Sequence, residues 1–328
     1  MKVVAIGGGT GLSTVLRGLK HHVVEPARPA QVHPEITRLT AVVTVTDEGG
    51  SSGRLRRDFR ILPPGDIRNC LVALAEDEQL LTQLFNYRFS SGRGLRGHNL
   101  GNLFLTALTN LTHDFAKAVR LCSEVLAIRG EIFPATLSDV HLQATRTDGV
   151  VIRGERGITK TRVPIKRLQI IPSRCRPLPE TLAAIHDADL ITLGPGSLYT
   201  SLVPNLLVQG IAEGIARSRA VKVFICNLMT QPGESRGYSA ADHVRALHEH
   251  AGRRVFDHIV LNTGQLSGAL LKRYATEHAA PVELDLDAVR KLGVKPLCAN
   301  LLAEDRVARH DSPRLAEFLL SLAKRRPG

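Results

Sequence analysis

Two glycine-rich turns, each at the end of an apolar run, have the residue types and spacing that could bind an anion. The first is Gly7-Gly8-Gly9-Thr10-Gly11 after residues 3–6, and the second is Gly194-Pro195-Gly196-Ser197 after residues 189–193. Helical periodicity follows both turns, so backbone N–H groups and the positive end of a helix dipole would meet at each. We predict phosphate sites there, formed by Gly8, Gly9, Thr10 and Gly11 at the first turn and by Gly196 and Ser197 at the second.

Known motifs match these turns only in part. A dinucleotide fingerprint needs glycine or alanine where Leu12 stands, and a P-loop needs Gly-Lys followed by Ser or Thr. The first turn therefore favours a phosphate without specifying NAD(P), which is kept as an alternative ligand. Ser197 does not form a nucleophile elbow, because Leu198 follows it. We expect Ser197 to cap the next helix near the ligand.

A polar segment with two carboxylates follows the second predicted strand. Its sequence is Thr46-Asp47-Glu48-Gly49-Gly50-Ser51-Ser52-Gly53-Arg54-Leu55-Arg56-Arg57. Asp47 stands where the ribose-binding acid of a doubly wound fold usually lies. Asp47, Ser51 and Ser52 could hold a ribose, a divalent cation or a phosphate, and the alternative is a solvated surface loop. We expect Arg56 and Arg57 to be surface charges.

Two further motifs have both a structural and a functional interpretation. Asp66, in Pro63-Pro64-Gly65-Asp66-Ile67-Arg68-Asn69, can cap a helix that starts at residue 67, or it can reach the site together with Asn69. In Gly97-His98-Asn99-Leu100-Gly101-Asn102, Asn102 can cap the next helix, and His98 is either a hydrogen-bonding loop residue or a base. The candidate ligand-binding residues therefore include Asp66, Asn69, His98 and Asn102.

An α/β fold with a mostly parallel sheet would bring these motifs to one edge. Continuous β-branched residues at 39–46 favour a strand buried on both faces, and apolar runs return at 189–193, 221–226 and 258–262. Each run is followed by turn residues and a helical pattern. We predict a Rossmann-like sheet flanked by helices, within a single domain that covers residues 1–328.

Two excursions interrupt this pattern. Residues 63–126 have helical periodicity at 67–75, 79–87, 102–111 and 115–126, which predicts a helical insertion beside the site. Residues 136–171 alternate with period two around Asp148-Gly149, which predicts an antiparallel β-hairpin that acts as a lid or an oligomer contact. We also expect a proline-marked loop at 25–35, an extended segment at 281–286, and a last helix from Ser312 with Pro313 in its first turn.

The charge of the chain favours anionic partners. Its 328 residues are 43% apolar and 23% charged, which is typical of globular proteins, and 43 Lys and Arg against 31 Asp and Glu give a net charge of +12. Such an excess attracts phosphorylated metabolites or nucleic acid. Nucleic acid is the less favoured partner, because aromatic residues make up only 4% of the chain and Trp is absent, so few rings could stack on bases.

The remaining composition indicates a cytoplasmic protein. The five cysteines are scattered without a C-x-x-C pair, which suits a reducing compartment and excludes a structural zinc site of the usual spacing. We predict no signal peptide, because the first apolar run is only four residues long. We predict no membrane span, because the longest apolar stretch, 190–207, is broken at Pro195 and Pro204.

Several motifs together resemble one known family. They are GGGTGL, TDEGGSSGRLR, PPGDIRN, GHNLGN, GPGSLYTSLVPNL, CNLMTQPGE and the late Arg309-His310-Asp311. In this order they are similar to the gluconeogenesis factor family, the bacterial branch of the superfamily that also contains 2-phospho-L-lactate transferase. The resemblance spans nearly the whole chain, so it is more specific than any single glycine turn.

The resemblance implies a cytoplasmic, Rossmann-like protein that binds a nucleotide ligand, most plausibly a UDP-sugar such as UDP-N-acetylglucosamine, and requires no cofactor. It implies a role in growth on gluconeogenic carbon sources, cell shape and peptidoglycan supply, with protein partners in cell-wall regulation and a homo-oligomeric state. By motif position, the first turn would line the diphosphate, with Asp47, Ser51 and Ser52 as the neighbouring floor and Gly196 and Ser197 opposite. Asn227 and Thr230 would lie at a third strand end, and the ring of Tyr274 and the guanidinium of Arg309 could hold a base and a phosphate.

One departure from the family pattern concerns the carboxylates. The usual Asp-Asp pair is Asp47-Glu48 here, and the longer Glu48 side chain weakens the transfer of a transferase metal site. The leading hypothesis is a regulatory binding protein, because no complete nucleophile and base constellation is visible. The alternative is a phosphotransferase in which Asp47 is a metal ligand or base. Of the basic residues, we assign only Arg309, and with it Arg54 and Arg68, to the site.

Overall fold

The computed structural model describes residues 1–24, 35–76, 79–304 and 307–324. The proline-marked loop predicted at 25–35 lies outside these residues except for Glu35. Over the ranges described, no helix is both long enough and apolar enough to cross a membrane.

Strands and helices alternate along most of the chain. The strands are β1 (Lys2–Gly7), β2 (Arg38–Val43), β3 (Glu131–Pro134), β4 (His141–Arg146), β5 (Val151–Arg153), β6 (Ile165–Ile171), β7 (Leu190–Leu193), β8 (Val221–Ile225), β9 (His258–Asn262), β10 (Lys295–Ala299), β11 (Leu302–Glu304) and β12 (Ala308–His310). The helices are α1 (Gly9–Leu19), α2 (Gly50–Phe59), α3 (Gly65–Leu74), α4 (Gln79–Asn86), α5 (Leu100–Thr112), α6 (Phe115–Val125), α7 (Glu155–Lys160), α8 (Pro179–Asp187), α9 (Val203–Leu207), α10 (Ile211–Arg217), α11 (Ala240–Ala251), α12 (Gly268–Thr276), α13 (Leu286–Lys291) and α14 (Ser312–Lys324). A π-helical turn at Leu198–Leu202 leads into α9.

The main sheet confirms the predicted fold class. Within the described residues it has seven strands in the order β10-β9-β8-β7-β1-β2-β3, and every neighbouring pair is parallel. The strand order reverses between β1 and β7. Ligands of such sheets bind outside the carboxyl ends of the strands at this switch point.

The strands at the switch point are buried because helices cover both faces of the sheet. After Lys2, β1 is buried along its length, and β7 is buried throughout, as expected of central parallel strands. Ile6 pairs with Leu193, and Gly7 pairs with Val43. The three strands therefore end at nearly the same level, which places the turns after β1, β2 and β7 side by side.

The segment between β2 and β3 is helical, and the predicted insertion at 63–126 contains α3 to α6. The alternative interpretation of the segment after the second strand as a solvated surface loop was wrong for Ser51 and Ser52, which are buried in the first turn of α2. The prediction that Arg56 is a surface charge was also wrong. Its buried guanidinium pairs with Asp139 and donates to the carbonyl of Val140 at 2.6 Å, whereas Arg57 is exposed as expected.

The β-excursion is larger than a hairpin. The turn at Asp148-Gly149 joins β4 to β5 as predicted, but β6 pairs with the other side of β4 to give a three-stranded antiparallel sheet. Helix α7 connects β5 to β6. We call residues 136–171 the antiparallel unit. That the whole chain is one domain stays a prediction.

The sequence analysis missed β10, the edge strand of the main sheet. The extended segment expected at 281–286 forms only isolated bridges, from Pro281 to Met229 and from Glu283 to Ser239. The strand itself is Lys295–Ala299, which pairs with β9. Its residues are only partly buried and include Pro296, so it lacks the continuous apolar pattern of the central strands.

Candidate functional site

An open pocket of about 550 Å³ lies at the carboxyl ends of β1, β7 and β8, at the switch point. We call it the main pocket. Its walls come from the turns after these three strands, from α12, and from β12. Ten candidate residues line it: Gly8, Gly9, Thr10, Gly11, Gly196, Ser197, Asn227, Thr230, Tyr274 and Arg309.

The first glycine turn packs tightly against the second. Helix α1 begins at Gly9, directly after the extended residue Gly8. A Cβ on Gly8 would lie 2.7 Å from Asp66 Oδ2, and a Cβ on Gly11 would overlap the carbonyl oxygen of Pro195. Both positions therefore require glycine, because any side chain would collide with these neighbouring atoms. The exposed residue Thr10, in the first turn of α1, lines the pocket. This is the arrangement expected for an anion site at a helix N-terminus.

Asn227 holds the second glycine turn in place. Its Oδ1 accepts from Gly196 N at 3.0 Å, and its Nδ2 donates to Gly196 O at 2.8 Å. Ser197 Oγ accepts from Gln231 Nε2 at 2.8 Å, so the prediction that this hydroxyl caps the helix was wrong. Asn227 and Ser197 therefore shape the pocket wall through contacts with the protein itself.

A carboxylate that the sequence analysis missed occupies the helix end after the second turn. Glu234 is 4% exposed and accepts from Tyr199 N at 2.8 Å, from Thr200 N at 3.1 Å and from Thr200 Oγ1 at 2.9 Å. Burial raises the pKa of Glu234, and the hydrogen bonds oppose this shift. An internal carboxylate thus occupies the amides of Tyr199 and Thr200, next to Gly196 and Ser197, where we predicted the second phosphate site.

The far wall of the main pocket is built by Tyr274 and Arg309. Tyr274 Oη accepts from Ala308 N at 3.1 Å, which fixes the strand that carries Arg309. Thr230 is also structural, because its Oγ1 accepts from Ala280 N at 3.0 Å. Burial lowers the pKa of the adjacent His310 to about 4, so its imidazole is neutral at physiological pH. Arg309 therefore supplies positive charge opposite the first glycine turn.

Three carboxyl groups lie behind the first turn. Asp66 accepts from Gly9 N, and loss of solvation together with the charge of Asp47 raises the pKa of this half-buried carboxyl to about 7. Loss of solvation and the charge of Asp47 likewise raise the pKa of Glu155 to about 7. The capping interpretation of Asp66 was wrong, because the N-cap residue of α3 is Pro64 and Asp66 lies in the first turn. Asp66 instead contacts the first glycine turn.

Stability should therefore fall as the pH rises from about 4 to about 7. The folded pKa values of Asp66 and Glu155 exceed the usual 3.8 and 4.5, so the contribution of each carboxyl is fully present below its usual pKa and is lost by the time the pH passes its folded pKa. The variants Asp66→Asn and Glu155→Gln should each gain roughly 3–4 kcal/mol over the wild type at pH 8 and less than about 1 kcal/mol at pH 4, in urea unfolding with EDTA present. Glu317→Gln, on an exposed surface, is the control. Equal changes at both pH values would contradict the raised pKa values.

Glu48 contacts the antiparallel unit and does not line the main pocket. Its carboxylate accepts from Glu155 N at 3.2 Å and lies 3.0 Å from His141 Nδ1, while Glu48 N donates to the Glu155 carboxylate at 2.7 Å. The Glu48 side chain therefore connects the loop after β2 to β4 and to α7 through these contacts. Across the described ranges, no group of three or more His, Cys, Asp or Glu side chains is placed to hold a metal ion.

The remaining candidates form a polar contact between α2 and α5. Ser51 Oγ lies 3.0 Å from His98 Nδ1 and accepts from Asn99 N at 3.3 Å. Asn102 Nδ2 donates to Ser52 Oγ at 3.5 Å. The capping prediction for Asn102 was wrong by three residues, because Asn99 is the N-cap and its Oδ1 accepts from Asn102 N at 3.2 Å.

The two arginines assigned to the site beside Arg309 also bind protein groups. Arg54 donates to the carbonyls of Arg96 and Gly94, at 2.7 and 3.0 Å, and Arg68 donates to Asn86 Oδ1 and Asn69 Oδ1, at 2.8 and 2.7 Å. Within the described residues, nine candidates lie outside the wall of the main pocket: Asp47, Ser51, Ser52, Arg54, Asp66, Arg68, Asn69, His98 and Asn102.

Comparison with known proteins gives consistent results. Residues 3–302 match the family model described as 2-phospho-L-lactate transferase CofD. The chain is 51% identical to a putative gluconeogenesis factor of Nostoc sp. over 322 residues, which are 97% of this chain and 68% of that protein. It is 46% identical to the gluconeogenesis factor of Bacillus subtilis over 98% of both chains. A crystal structure of a Bacillus halodurans protein superposes with a TM-score of 0.91 at 46% identity, covering 97% of this chain and 99% of that one.

Proposed function

Because this chain belongs to the 2-phospho-L-lactate transferase CofD family and is similar to gluconeogenesis factors over nearly its whole length, we propose that it is a nucleotide-binding regulatory protein. Its ligand in this proposal is a UDP-sugar such as UDP-N-acetylglucosamine. The proposed cellular role is in growth on gluconeogenic carbon sources, cell shape and peptidoglycan supply, in the cytoplasm. A homo-oligomeric state and protein partners in cell-wall regulation are part of the same proposal.

The observation that carries the proposal is the placement of Arg309 and the start of α1 in one pocket. The first turn of α1 supplies amide donors, and Arg309 supplies a guanidinium from β12. A diphosphate at the first turn would accept hydrogen bonds from these amides and bidentate hydrogen bonds from Arg309.

The polar contacts around the pocket support binding rather than turnover. Ser197 Oγ is bonded to Gln231, and both polar atoms of the Asn227 amide are bonded to Gly196. These groups maintain the pocket wall and are not arranged as a nucleophile with its base. A ligand would therefore act by stabilising the walls of the pocket, a change that a partner protein can recognise.

Ligand-dependent thermal unfolding tests the proposal. A UDP-sugar at about 100 times its dissociation constant should add about 2.7 kcal/mol to the free energy of unfolding. Arg309→Ala should weaken binding by roughly tenfold or more, since a charge-assisted contact to phosphate is lost. Arg253→Ala removes an exposed arginine outside the main pocket and should leave binding unchanged. No stabilisation by any UDP-sugar would refute the proposed ligand.

The carboxyl cluster behind the first turn favours a second candidate function, a phosphotransferase. The hydrogen bond from Gly9 N to Asp66 connects these acids directly to the proposed phosphate site. Carboxylate oxygens of Asp47 and Asp66 have the hard-donor chemistry that suits Mg²⁺, which would supply Lewis-acid assistance when bound. Magnesium-dependent release of a nucleoside monophosphate, lost in Asp47→Asn and kept in Asp139→Asn, would favour this function over the regulatory one.

A further inference from the structure

Two neighbouring helices of the helical insertion expose apolar side chains outside the main pocket. Leu80 at the start of α4 has 68% of its surface exposed, and Leu111 near the end of α5 has 77% exposed. Among the described residues, these two are the most exposed of the large apolar side chains. Leu84 and Tyr87 are exposed as well. Exposed apolar residues that are grouped rather than scattered mark binding surfaces.

The spacing of these residues forms one apolar stripe on each helix. Both stripes follow the i, i+4, i+7 pattern of residues that share one helix face. The stripe residues are Leu80, Leu84 and Tyr87 at α4, and Phe104, Leu108 and Leu111 on α5. We call the surface formed by these six residues the α4–α5 face.

Direct contacts between the two helices place the stripes side by side. The rings of Phe85 and Phe104 meet edge to face, with centroids 5.3 Å apart. A Cβ on Gly101 would lie 2.7 Å from the carbonyl oxygen of Phe85, so the helices approach each other closely at this point. Leu100 N donates to Tyr87 O at 2.8 Å, which joins the end of one stripe to the start of α5. The two stripes therefore form one continuous surface.

The middle of the α4–α5 face is lower than its borders. Phe104 and Leu108 are only partly exposed, because they also pack against the core, whereas Leu80, Leu84 and Leu111 are exposed. The face therefore has a recessed floor between raised apolar rows. A groove of this kind accepts the apolar ridge of an amphipathic helix, whose anchors repeat at i, i+3, i+4 and i+7. A flat bilayer surface would leave the floor uncovered.

Positive charge lies at the Tyr87 end of the α4–α5 face. Arg88 is exposed and donates to Gly97 O at 2.8 Å, and Arg68 donates at 2.8 Å to Oδ1 of Asn86, the last residue of α4. These hydrogen bonds hold both guanidinium groups at this end of the face, and they do not neutralise the charge, because the acceptors are uncharged oxygens. An acidic side chain of a partner would complement these groups.

We propose that the α4–α5 face docks an amphipathic helix of a partner protein, which covers both stripes with apolar side chains and presents an acidic residue to Arg88. A second copy of this chain is the less suitable occupant, since it carries the same net charge of +12. The proposed function includes protein partners, and this inference gives such a partner a surface and a chemistry. None of the six stripe residues is among the described residues that line the main pocket, so docking needs no nucleotide.

Selection from a displayed library of helical peptides, with the whole protein as the target, tests the docking site. The recovered peptides should carry apolar residues at i, i+3 or i+4, and i+7, with an acidic residue near one end. In fluorescence anisotropy they should bind the double variant Leu80→Gln/Leu111→Gln at least about tenfold more weakly than the wild type. Recovery of no such peptide, or equal binding to the wild type and the double variant, would overturn the proposal.

A matched control separates the α4–α5 face from apolar exposure in general. Val151 is 50% exposed on β5, so Val151→Gln removes an exposed apolar side chain elsewhere and should change peptide binding by less than about twofold. Since Leu80 and Leu111 are largely exposed, the double variant should unfold at nearly the same urea concentration as the wild type. An equal loss of peptide binding in Val151→Gln would contradict docking at the face.

A charge exchange tests the acidic contact to Arg88. Arg88→Glu should weaken the selected peptide by about threefold or more, and replacement of the acidic residue of the peptide by lysine should restore binding to this variant alone. Arg253→Glu, at an exposed arginine outside the face, should bind both peptides as the wild type does. Equal effects of the peptide substitution on the wild type and on Arg88→Glu would refute this contact.

The other possible occupants give different results with the same variants. Sedimentation that shows a wild-type dimer, lost in Leu80→Gln/Leu111→Gln, would assign the face to a second copy. Binding to phosphatidylglycerol vesicles that is lost in this variant would assign it to a lipid surface, and either result overturns the partner helix. Titration with a UDP-sugar should give equal affinities for the wild type and the double variant. A wild type that binds no UDP-sugar refutes the proposed ligand and leaves the peptide result standing, so the two failures are distinguishable.

Discussion

Gly11→Ala should destabilise the protein by about 3 kcal/mol and abolish ligand binding at the first glycine turn. The added methyl group would overlap the carbonyl oxygen of Pro195, a backbone atom that cannot rotate away. The two turns must therefore separate, which shifts the first turn of α1 and the wall formed by Gly196 and Ser197. Urea unfolding gives the loss of stability, and titration with a UDP-sugar gives the loss of binding.

The matched control is Gly268→Ala, at the first residue of α12. The same methyl group meets nothing within 4 Å there, and the backbone is not in the left-handed region. Because alanine has the higher helix propensity, this variant should be neutral or more stable by roughly 0.5–1 kcal/mol, with unchanged binding. Similar stabilities for Gly11→Ala and Gly268→Ala would show that the two turns are not in the predicted close contact.

Local patterns in the sequence were sufficient to predict the elements around the first turn. The apolar run of β1, the glycines and the helical spacing of α1 are contiguous, so the strand, turn and helix follow from neighbouring residues. The same holds for β7 and for α14, whose start at Ser312 agrees with the prediction. The main sheet and its flanking helices were therefore predictable as elements, although the order of their strands was not.

Contacts between distant residues account for most of the errors at the site. The role of Asp66 depends on Gly9 and Asp47, which approach it only when β1 and β2 pair. Read locally, an acid near the start of a helix indicates a cap, and the actual N-cap is Pro64. The burial of Arg56 likewise depends on Asp139 and Val140 in the antiparallel unit, more than eighty residues away in the sequence. The order in which the strands pair decides which distant residues meet, and the local patterns of a single sequence do not specify that order.

Glu234→Ala should cost about 4 kcal/mol of stability, because two buried amides and one hydroxyl lose their acceptor. The carboxylate accepts hydrogen bonds from Tyr199 N and Thr200 N, which lie 35 and 34 residues earlier in the sequence. Because of this sequence separation, local patterns predicted a phosphate site after the second glycine turn and gave no sign of Glu234. Urea unfolding measures the loss. Glu234→Gln keeps an oxygen acceptor for both amides and should lose no more than about 1 kcal/mol.

Chemical rescue separates this capping role from a general effect of the substitution. If the amides of Tyr199 and Thr200 are an anion site that Glu234 occupies, its removal creates a cavity with two donors aimed into it. Added acetate should then stabilise Glu234→Ala and leave both the wild type and Glu234→Gln unchanged. Stabilisation of all three proteins by acetate, or equal losses in the Ala and Gln variants, would contradict the assignment of Glu234 as the internal anion. A positive result would also favour the first glycine turn over the second as the phosphate-binding helix end of the main pocket.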